Sequence, residues 1–392
     1  MDLDFQTGAL LLLIAGIVAM LTSRLRLPYS VGLVVAGIVL SISPVAPTIV
    51  LTKELLFTVL LPPLLFEATL NIPWPQLRRD FPVIVTLATA GVALSAGVTS
   101  AGMHYLAHWS WPGAMVFGVL IAATDPVSVI AVFREAKAHG RLLMLIETES
   151  LFNDGTAAVA FAVAVALASG QHLTSYAVVS MLLRMIGGGI LCGAAVAGAA
   201  LLLVGRTHDH LVEITFTTLA AYGSFLLAQH FDLSGVLATI TAGLIIANFQ
   251  PLGTISDRGK EAVQAFWEYA AFVANSLVFL LIGMRVAHQD FGAIWIPAGI
   301  AIAFVTLGRA VAIYPLCLSF SMSSLRVAMK HQHVLFWGGL RGALALALAL
   351  GLPAEISQRG EIIAISFAVV AFSVFVQGLT ITPVLRRIGE IV

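Results

Sequence analysis

Apolar residues run through this chain in long blocks, each closed by a short cluster of charged, proline or glycine residues. A bilayer-spanning helix needs about 20 mostly apolar residues. On that measure the pattern predicts thirteen spanning helices, at 7–23, 29–44, 52–70, 81–105, 113–134, 142–168, 175–204, 211–230, 232–249, 264–286, 292–318, 331–352 and 361–387. The connections are short, and none is polar or long enough to form a soluble domain. The predicted fold is all-α and polytopic, with residues 1–392 forming one transmembrane unit. The amino-terminal Met-Asp-Leu-Asp-Phe-Gln lacks a basic region and does not read as a cleaved signal peptide.

Composition sharpens this picture. Charged residues make up 10% of the chain, against about 25% in a soluble protein. The net charge of zero excludes a broadly basic nucleic-acid surface. Cys192 and Cys317 both lie in apolar blocks, so no disulfide framework is expected. The basic residues alternate by loop. Arg24, Arg26, Arg78, Arg79, Arg134, Lys137, Arg141, Arg206, Arg258, Lys260, Arg326, Lys330, Arg386 and Arg387 fall on one side, and Lys53, Arg285 and Arg359 on the other. The positive-inside rule then puts the carboxyl terminus in the cytoplasm and the amino terminus outside. Short loops and the lack of a targeting segment point to a prokaryotic inner membrane.

Two segments are broken at their centres. The fifth carries Thr124-Asp125-Pro126, and the twelfth carries Gly338-Gly339-Leu340-Arg341-Gly342. Proline removes a helix donor and clashes with the preceding turn, and clustered glycine weakens a helix entropically. Seven spans separate the breaks, so the two segments cross in opposite directions. That is the mark of inverted repeats meeting at a midplane transport site. The opposed half-helix dipoles call for compensation, with Asp125 and Arg341 as the available charges.

The sixth segment carries Glu149-Ser-Leu-Phe-Asn-Asp154 at bilayer depth, where ionisable groups are costly and face a partner or a wet cavity. Ser150 and Asp154 are four apart and share a helix face, as do Glu149 and Asn153. Glu149 and Asp154 lie about 140° apart at 100° per residue. Asp154 and Ser150 are therefore expected to face an ion cavity, while Glu149 turns to a cation on another helix. Arg309 is the first choice for that cation and Arg341 the second. A carboxylate can hold a proton or a small hard cation, but not both, so a single acid couples the two fluxes. Asp154, Ser150, Thr124 and local carbonyls supply the oxygen ligands that a monovalent cation such as Na⁺ prefers. One titrating acid beside the amide of Asn153 suggests one-for-one, electroneutral exchange. The plainer alternative makes Asp154 a structural acid paired with Arg341.

Two other functions compete. Asp125 and Asp154 could form the pair of an intramembrane aspartyl protease, yet a Gly-x-Gly-Asp sequence is absent and the two helix breaks would have no task. A cation channel would need a continuous pore, which suits a single buried acid less well. The chain is read as a transporter and not an enzyme, and no cofactor motif is present. Gly187-Gly-Gly189 has no following Lys-Ser/Thr and reads as close helix packing.

The chain resembles the sodium/proton exchangers of the cation:proton antiporter-1 family. The matching pieces are Leu61-Pro-Pro-Leu-Leu-Phe-Glu67, Ala123-Thr-Asp-Pro126, Glu149-Ser-Leu-Phe-Asn-Asp154, Phe266-Trp-Glu268, Asn275-Ser-Leu-Val-Phe-Leu280, Gly339-Leu-Arg-Gly-Ala343 and Gln377-Gly-Leu-Thr380. The resemblance implies a core of helices over roughly 81–168 and 292–387, and a dimerisation scaffold over roughly 7–70 and 175–286. It implies that Asp154 is the main ion-binding acid, helped by Asp125, Thr124 and Ser150, with Asn153 as the electroneutral signature and Glu149–Arg309 as a structural pair. It further implies a homodimer with elevator-like alternating access, serving pH homeostasis. The tail-based regulation of some members is not expected, because little chain follows the last span.

Glu67 and Glu268 are candidates for a cytoplasmic funnel, though either would also suit a local role. Arg184 fits a lipid-facing anchor. His139, His208, His210, His331 and His333 fall in loops predicted to be cytoplasmic, where histidine could sense pH. His208 and His210 alone are too few for a metal site.

Overall fold

The computed structural model describes residues 5–25, 27–44, 51–135, 140–171, 173–205, 209–249, 257–290, 292 and 294–390. Arg26, Lys137, His139, Arg206 and His208 lie outside the described residues. Each apolar segment contains a helix or a pair of half-helices. The helices are α1 (Phe5–Leu25), α2 (Tyr29–Ser41), α3 (Leu55–Leu70), α4 (Trp74–Tyr105), α5 (Trp111–Leu120), α6 (Val127–Glu135), α7 (Arg141–Ala168) and α8 (Ser175–Val204). They continue with α9 (His210–His230), α10 (Gly235–Phe249), α11 (Asp257–Val286), α12 (Trp295–Ser319), α13 (Met329–Trp337), α14 (Ala343–Leu350) and α15 (Arg359–Ile388). Eight of them are long and apolar enough to cross a membrane by themselves.

Two helices begin seven residues before the apolar pattern predicts. α4 starts at Trp74, where Leu77 and Asp80 are buried while Arg78 and Arg79 are exposed. α11 starts at Asp257 and buries Val263 and Trp267. These first turns are amphipathic, so a search for unbroken apolar runs passes over them. Asp80 is held by Arg141 at the start of α7, whose Nε and Nη2 donate to Asp80 Oδ1 at 2.9 and 2.7 Å. The same guanidinium donates to the carbonyls of Leu325 and Arg326, so one side chain ties α4, α7 and the α12–α13 connection together.

The fifth and twelfth segments are unwound where the sequence breaks them. Helix α5 ends at Leu120 and α6 resumes at Val127, while α13 ends at Trp337 and α14 resumes at Ala343. The two extended stretches cross, and the Asp125 backbone N–H donates to the Leu340 carbonyl at 2.8 Å in an isolated antiparallel bridge. Gly342 makes this approach possible, because a Cβ there would overlap the side chain of Asp125.

Packing sorts the helices into two groups. α4 packs on α5 and α12, α5 on α7, and α12 on α15. In the other group α2 packs on α11, while α8, α9, α10 and α3 pack in succession. α2 and α11 meet at Gly37 and Gly283, where a Cβ on either would strike the other helix's backbone, the close packing that small residues permit in membranes. Outward-facing Leu183, Leu191 and Leu202 of α8, and Leu13 and Met20 of α1, are exposed, as expected for surfaces that meet lipid or another apolar partner.

Candidate functional site

A cavity of about 300 Å³ lies between the two groups, and the crossing point forms part of its wall. From α7 it is lined by Glu147, Ser150, Leu151 and Asp154. These positions recur at i, i+3, i+4 and i+7, one face of an α-helix. Thr124, Asp125 and Gly342 line it from the unwound stretches, and Glu67, Glu268, Phe272 and Asn275 from α3 and α11. Asp154, Asp125, Thr124 and Ser150 thus come to one cavity, with Glu67 and Glu268 on its wall.

The hydroxyls of Thr124 and Ser150 are 2.9 Å apart and both residues are buried. Asp154 reaches the same cavity, and its Oδ1 is buried without a hydrogen-bond partner among the described residues. A carboxylate that shares a cavity wall with two hydroxyls can accept a proton or join a set of hard oxygen ligands. Asn153 stands behind this wall. Its Nδ2 donates to Thr124 Oγ1 at 3.3 Å and to Glu149 Oε1 at 3.4 Å, linking the hydroxyl pair to the neighbouring ion pair.

That ion pair joins Glu149 to Arg309. Nη1 and Nη2 of Arg309 donate to Oε1 and Oε2 of Glu149 at 2.7 and 2.8 Å, a two-pronged contact with both residues at most 5% exposed. The matched fork geometry gives a strong charge-assisted pair. Arg309 also donates from Nε and Nη2 to the carbonyl of Leu335, in the last turn of α13, at 3.3 and 3.0 Å. Arg341 takes no part in the Glu149 pair. Its Nη1 donates to the carbonyls of Ala122 and Ala123, just past the end of α5, at 2.9 and 3.1 Å.

The four half-helix ends at the crossing are therefore matched by charge. Asp125 Oδ1 accepts from the Val127 N–H at the start of α6, at 3.0 Å, and its carboxylate also accepts from the Ala343 N–H at the start of α14. A carboxylate at helix amino ends and guanidiniums at carboxyl ends each oppose the local dipole. The sequence suggested Asp125 and Arg341 for this work. It did not reveal that Arg309 covers the fourth end, because the Leu335 carbonyl is set by tertiary packing.

Glu147 lines the cavity although it lies outside the Glu149–Asp154 motif. A signal was present, since Glu147 and Asp154 are seven apart and return to the same face after two turns. Tyr29 and Phe272 are a further addition, stacked with ring centres 5.5 Å apart on the cavity wall.

On the far side of Asp154 lies a second cleft of about 200 Å³, lined by Lys53, Ala158, Phe161, Phe225, Leu348 and Gly351 among others. Ala158 is one helical turn beyond Asp154 on α7.

Comparison with known proteins gives concordant findings. The sequence profile described as "Sodium/hydrogen exchanger, transmembrane" matches residues 9–387. The chain is 38% identical to the Na(+)/H(+) antiporter ApNhaP of Aphanothece halophytica, an alignment covering 93% of this chain and 70% of that one. It is 31% identical to the Na(+)/H(+) antiporter NhaH of Halobacillus aidingensis, over 97% of this chain and 96% of that one. Among solved structures, the sodium proton antiporter MjNhaP1 of Methanocaldococcus jannaschii superposes with a TM-score of 0.79 at 19% identity, covering 99% of this chain and 98% of that one. That likeness bears on the fold.

Proposed function

This chain belongs to the sodium/hydrogen exchanger family, and from that premise we propose that it exchanges Na⁺ for H⁺, one for one, with both ions competing for Asp154. The observation that carries the proposal is the division of labour among the three acids around the crossing. Glu149 is neutralised by Arg309. Asp125 is engaged at the amino ends of two half-helices. Asp154 lines the cavity, and its buried Oδ1 has no hydrogen-bond partner among the described residues. It is the carboxylate left to alternate between a cation and a proton. Exchanging one positive charge for another at a single acid moves no net charge per cycle.

In this reading Ser150, Thr124 and Asp125 complete the oxygen set around the cation, with Asn153 orienting Thr124. Glu67, Glu147 and Glu268 draw cations into the cavity from the cytoplasmic side. The half-helix crossing, with α4, α7, α12 and α15, forms the moving core (roughly 81–168 and 292–387). The remaining helices, over roughly 7–70 and 175–286, form the scaffold of a homodimer. The cleft beyond Ala158 supports alternating access, because a shift of the core against the scaffold would open Asp154 to that side instead. The exposed apolar faces of α1 and α8 suit lipid and a second copy. The chain is assigned thirteen crossings of the plasma membrane, amino terminus outside and carboxyl terminus in the cytoplasm. An aspartyl protease needs two acids free to trade a proton, and the engagement of Asp125 argues against that.

The test is proton flux in proteoliposomes carrying a pH dye, on addition of Na⁺, Li⁺ or K⁺, with membrane voltage clamped or free. Cation-driven proton movement that ignores the clamp is expected, and the most effective cation identifies the substrate. Clamp-dependent movement would refute one-for-one exchange. Cation current without proton movement would mean a channel.

A further inference from the structure

Arg341 is 2% exposed. Its Nη1 serves the carbonyls of Ala122 and Ala123, but its Nε–H is buried without an acceptor among the described residues. A buried charged donor left unpaired is costly, so each such group needs a physical account. Beside it lies a small cavity of about 10 Å³, lined by Arg341, Arg309, Gly339, Thr306, Ser373 and Gln377 among others. Gln377 opens the last motif of the sequence, Gln377-Gly-Leu-Thr380, which the ion site itself does not use.

Ser373 and Gln377 bound a π-helical turn within α15, and both are buried. Wide turns of this kind recur at functional sites. Ser373 Oγ donates to Gln377 Oε1 at 2.8 Å. With Oε1 engaged, the remaining polar capacity of the amide is largely its two N–H bonds. The cavity is thus bordered by a guanidinium N–H and an amide that has donors to offer. Such a pair needs an acceptor, and a space of this size holds one water molecule.

We infer that an ordered water occupies this cavity and bridges Arg341 Nε to Gln377, making Gln377 a positioning residue for the ion site. The chain of contacts runs from Gln377 through the water to Arg341, then to the carbonyls of Ala122 and Ala123, which precede Thr124 and Asp125. The water fixes the guanidinium, and the guanidinium fixes the backbone that carries two of the cation ligands. The positioning role rests on the antiporter reading, whereas the water does not, so the two can fail separately.

The first arm of the test is a cryo-EM map of the full chain in lipid nanodiscs, at a resolution that shows single waters. One water peak within hydrogen-bond distance of Arg341 Nε and the Gln377 amide is expected, and an empty cavity would overturn the inference. The second arm is Na⁺-dependent exchange by Gln377→Leu and Gln377→Glu. Gln377→Leu should raise the KM for Na⁺ about fivefold, the worth of one net hydrogen bond, with maximal rate retained. Gln377→Glu, which can accept from Arg341, should restore KM to within about twofold of wild type. A wild-type KM in Gln377→Leu, or a loss of rate that Gln377→Glu does not repair, would reduce Gln377 to packing. Should Gln377→Leu fail to fold, Ser373→Ala removes only the hydroxyl that holds the amide, and an unchanged KM there would equally overturn the role.

Discussion

Removing one partner of the Glu149–Arg309 pair should destabilise the folded protein without directly touching the cation ligands. In Glu149→Ala, Arg309, which is 5% exposed in the native fold, loses two short charge-assisted bonds. It keeps only the Leu335 carbonyl. Breaking a buried pair from one side costs about 3–5 kcal/mol, because the survivor is an uncompensated buried charge. That is a factor of about 100 to several thousand in the folded-to-unfolded ratio. Arg309→Met should do similar damage by stranding Glu149, which is 1% exposed and retains a weak contact from Asn153 Nδ2 at 3.4 Å. The double variant leaves neither charge behind, so it should be more stable than the sum of the single losses predicts, since an apolar replacement for a buried pair is often near neutral. Part of the loss will remain in the double variant, because Arg309 also caps α13. The assay is thermal unfolding and yield of monodisperse protein, alongside Na⁺-dependent stabilisation of whatever folds. Single variants of wild-type stability with abolished Na⁺ response would refute the reasoning and put the pair inside the ion site.

Gly342→Ala would drive a methyl into Asp125 and pry the crossing apart. Overpacking of this kind costs about 1–3 kcal/mol and should lower exchange sharply, whereas Gly299→Ala, where the methyl meets open space, should exchange like wild type. Glu147→Gln removes a carboxylate about 10.5 Å along the helix from Asp154. It should raise the KM for Na⁺ by about fivefold at low ionic strength, an effect of about 1 kcal/mol that fades as inert salt is added. At the end of α15, partial burial alone would raise the Glu390 carboxyl, but hydrogen bonds from Lys330 and His331 at 2.6 and 3.0 Å, with their charge, outweigh it and hold the carboxyl below its ordinary range. A depressed carboxyl stabilises the fold above its unfolded value and loses that contribution as pH falls through the folded one. Glu390→Gln should therefore melt lower than wild type at neutral pH, and the difference should shrink in acid below the usual carboxylate range. An equal difference at all pH values would exclude this linkage.

Most of the fold was legible in the sequence because hydrocarbon imposes a simple rule. Backbone groups inside a bilayer must be satisfied internally, so apolar runs become helices and breaks survive only where protein surrounds them. Thr124-Asp125-Pro126 and the glycine cluster around Arg341 therefore announced the crossing. The parts that escaped are those the rule does not govern. The first turns of α4 and α11 are amphipathic and do not extend the apolar runs. Glu147 was legible by periodicity, being two turns from Asp154, but it lies outside the Glu149–Asp154 motif. The second duty of Arg309 could not be read at all, since it depends on where tertiary packing sets the Leu335 carbonyl. Helical spacing did separate the directions of Glu149 and Asp154, and the two side chains diverge in the structure to Arg309 and to the cavity.

The central claim is that cation and proton exclude one another at Asp154. The most direct measurement is the KM for Na⁺ across a pH series in proteoliposomes, for wild type and Asp154→Asn. Competition at one acid predicts that KM rises about tenfold per pH unit on the acid side, one proton being displaced per cation. Maximal rate should be regained at saturating Na⁺, and Asp154→Asn should exchange nothing. A KM indifferent to pH while the maximal rate falls, or exchange at the wild-type rate by Asp154→Asn, would contradict the account.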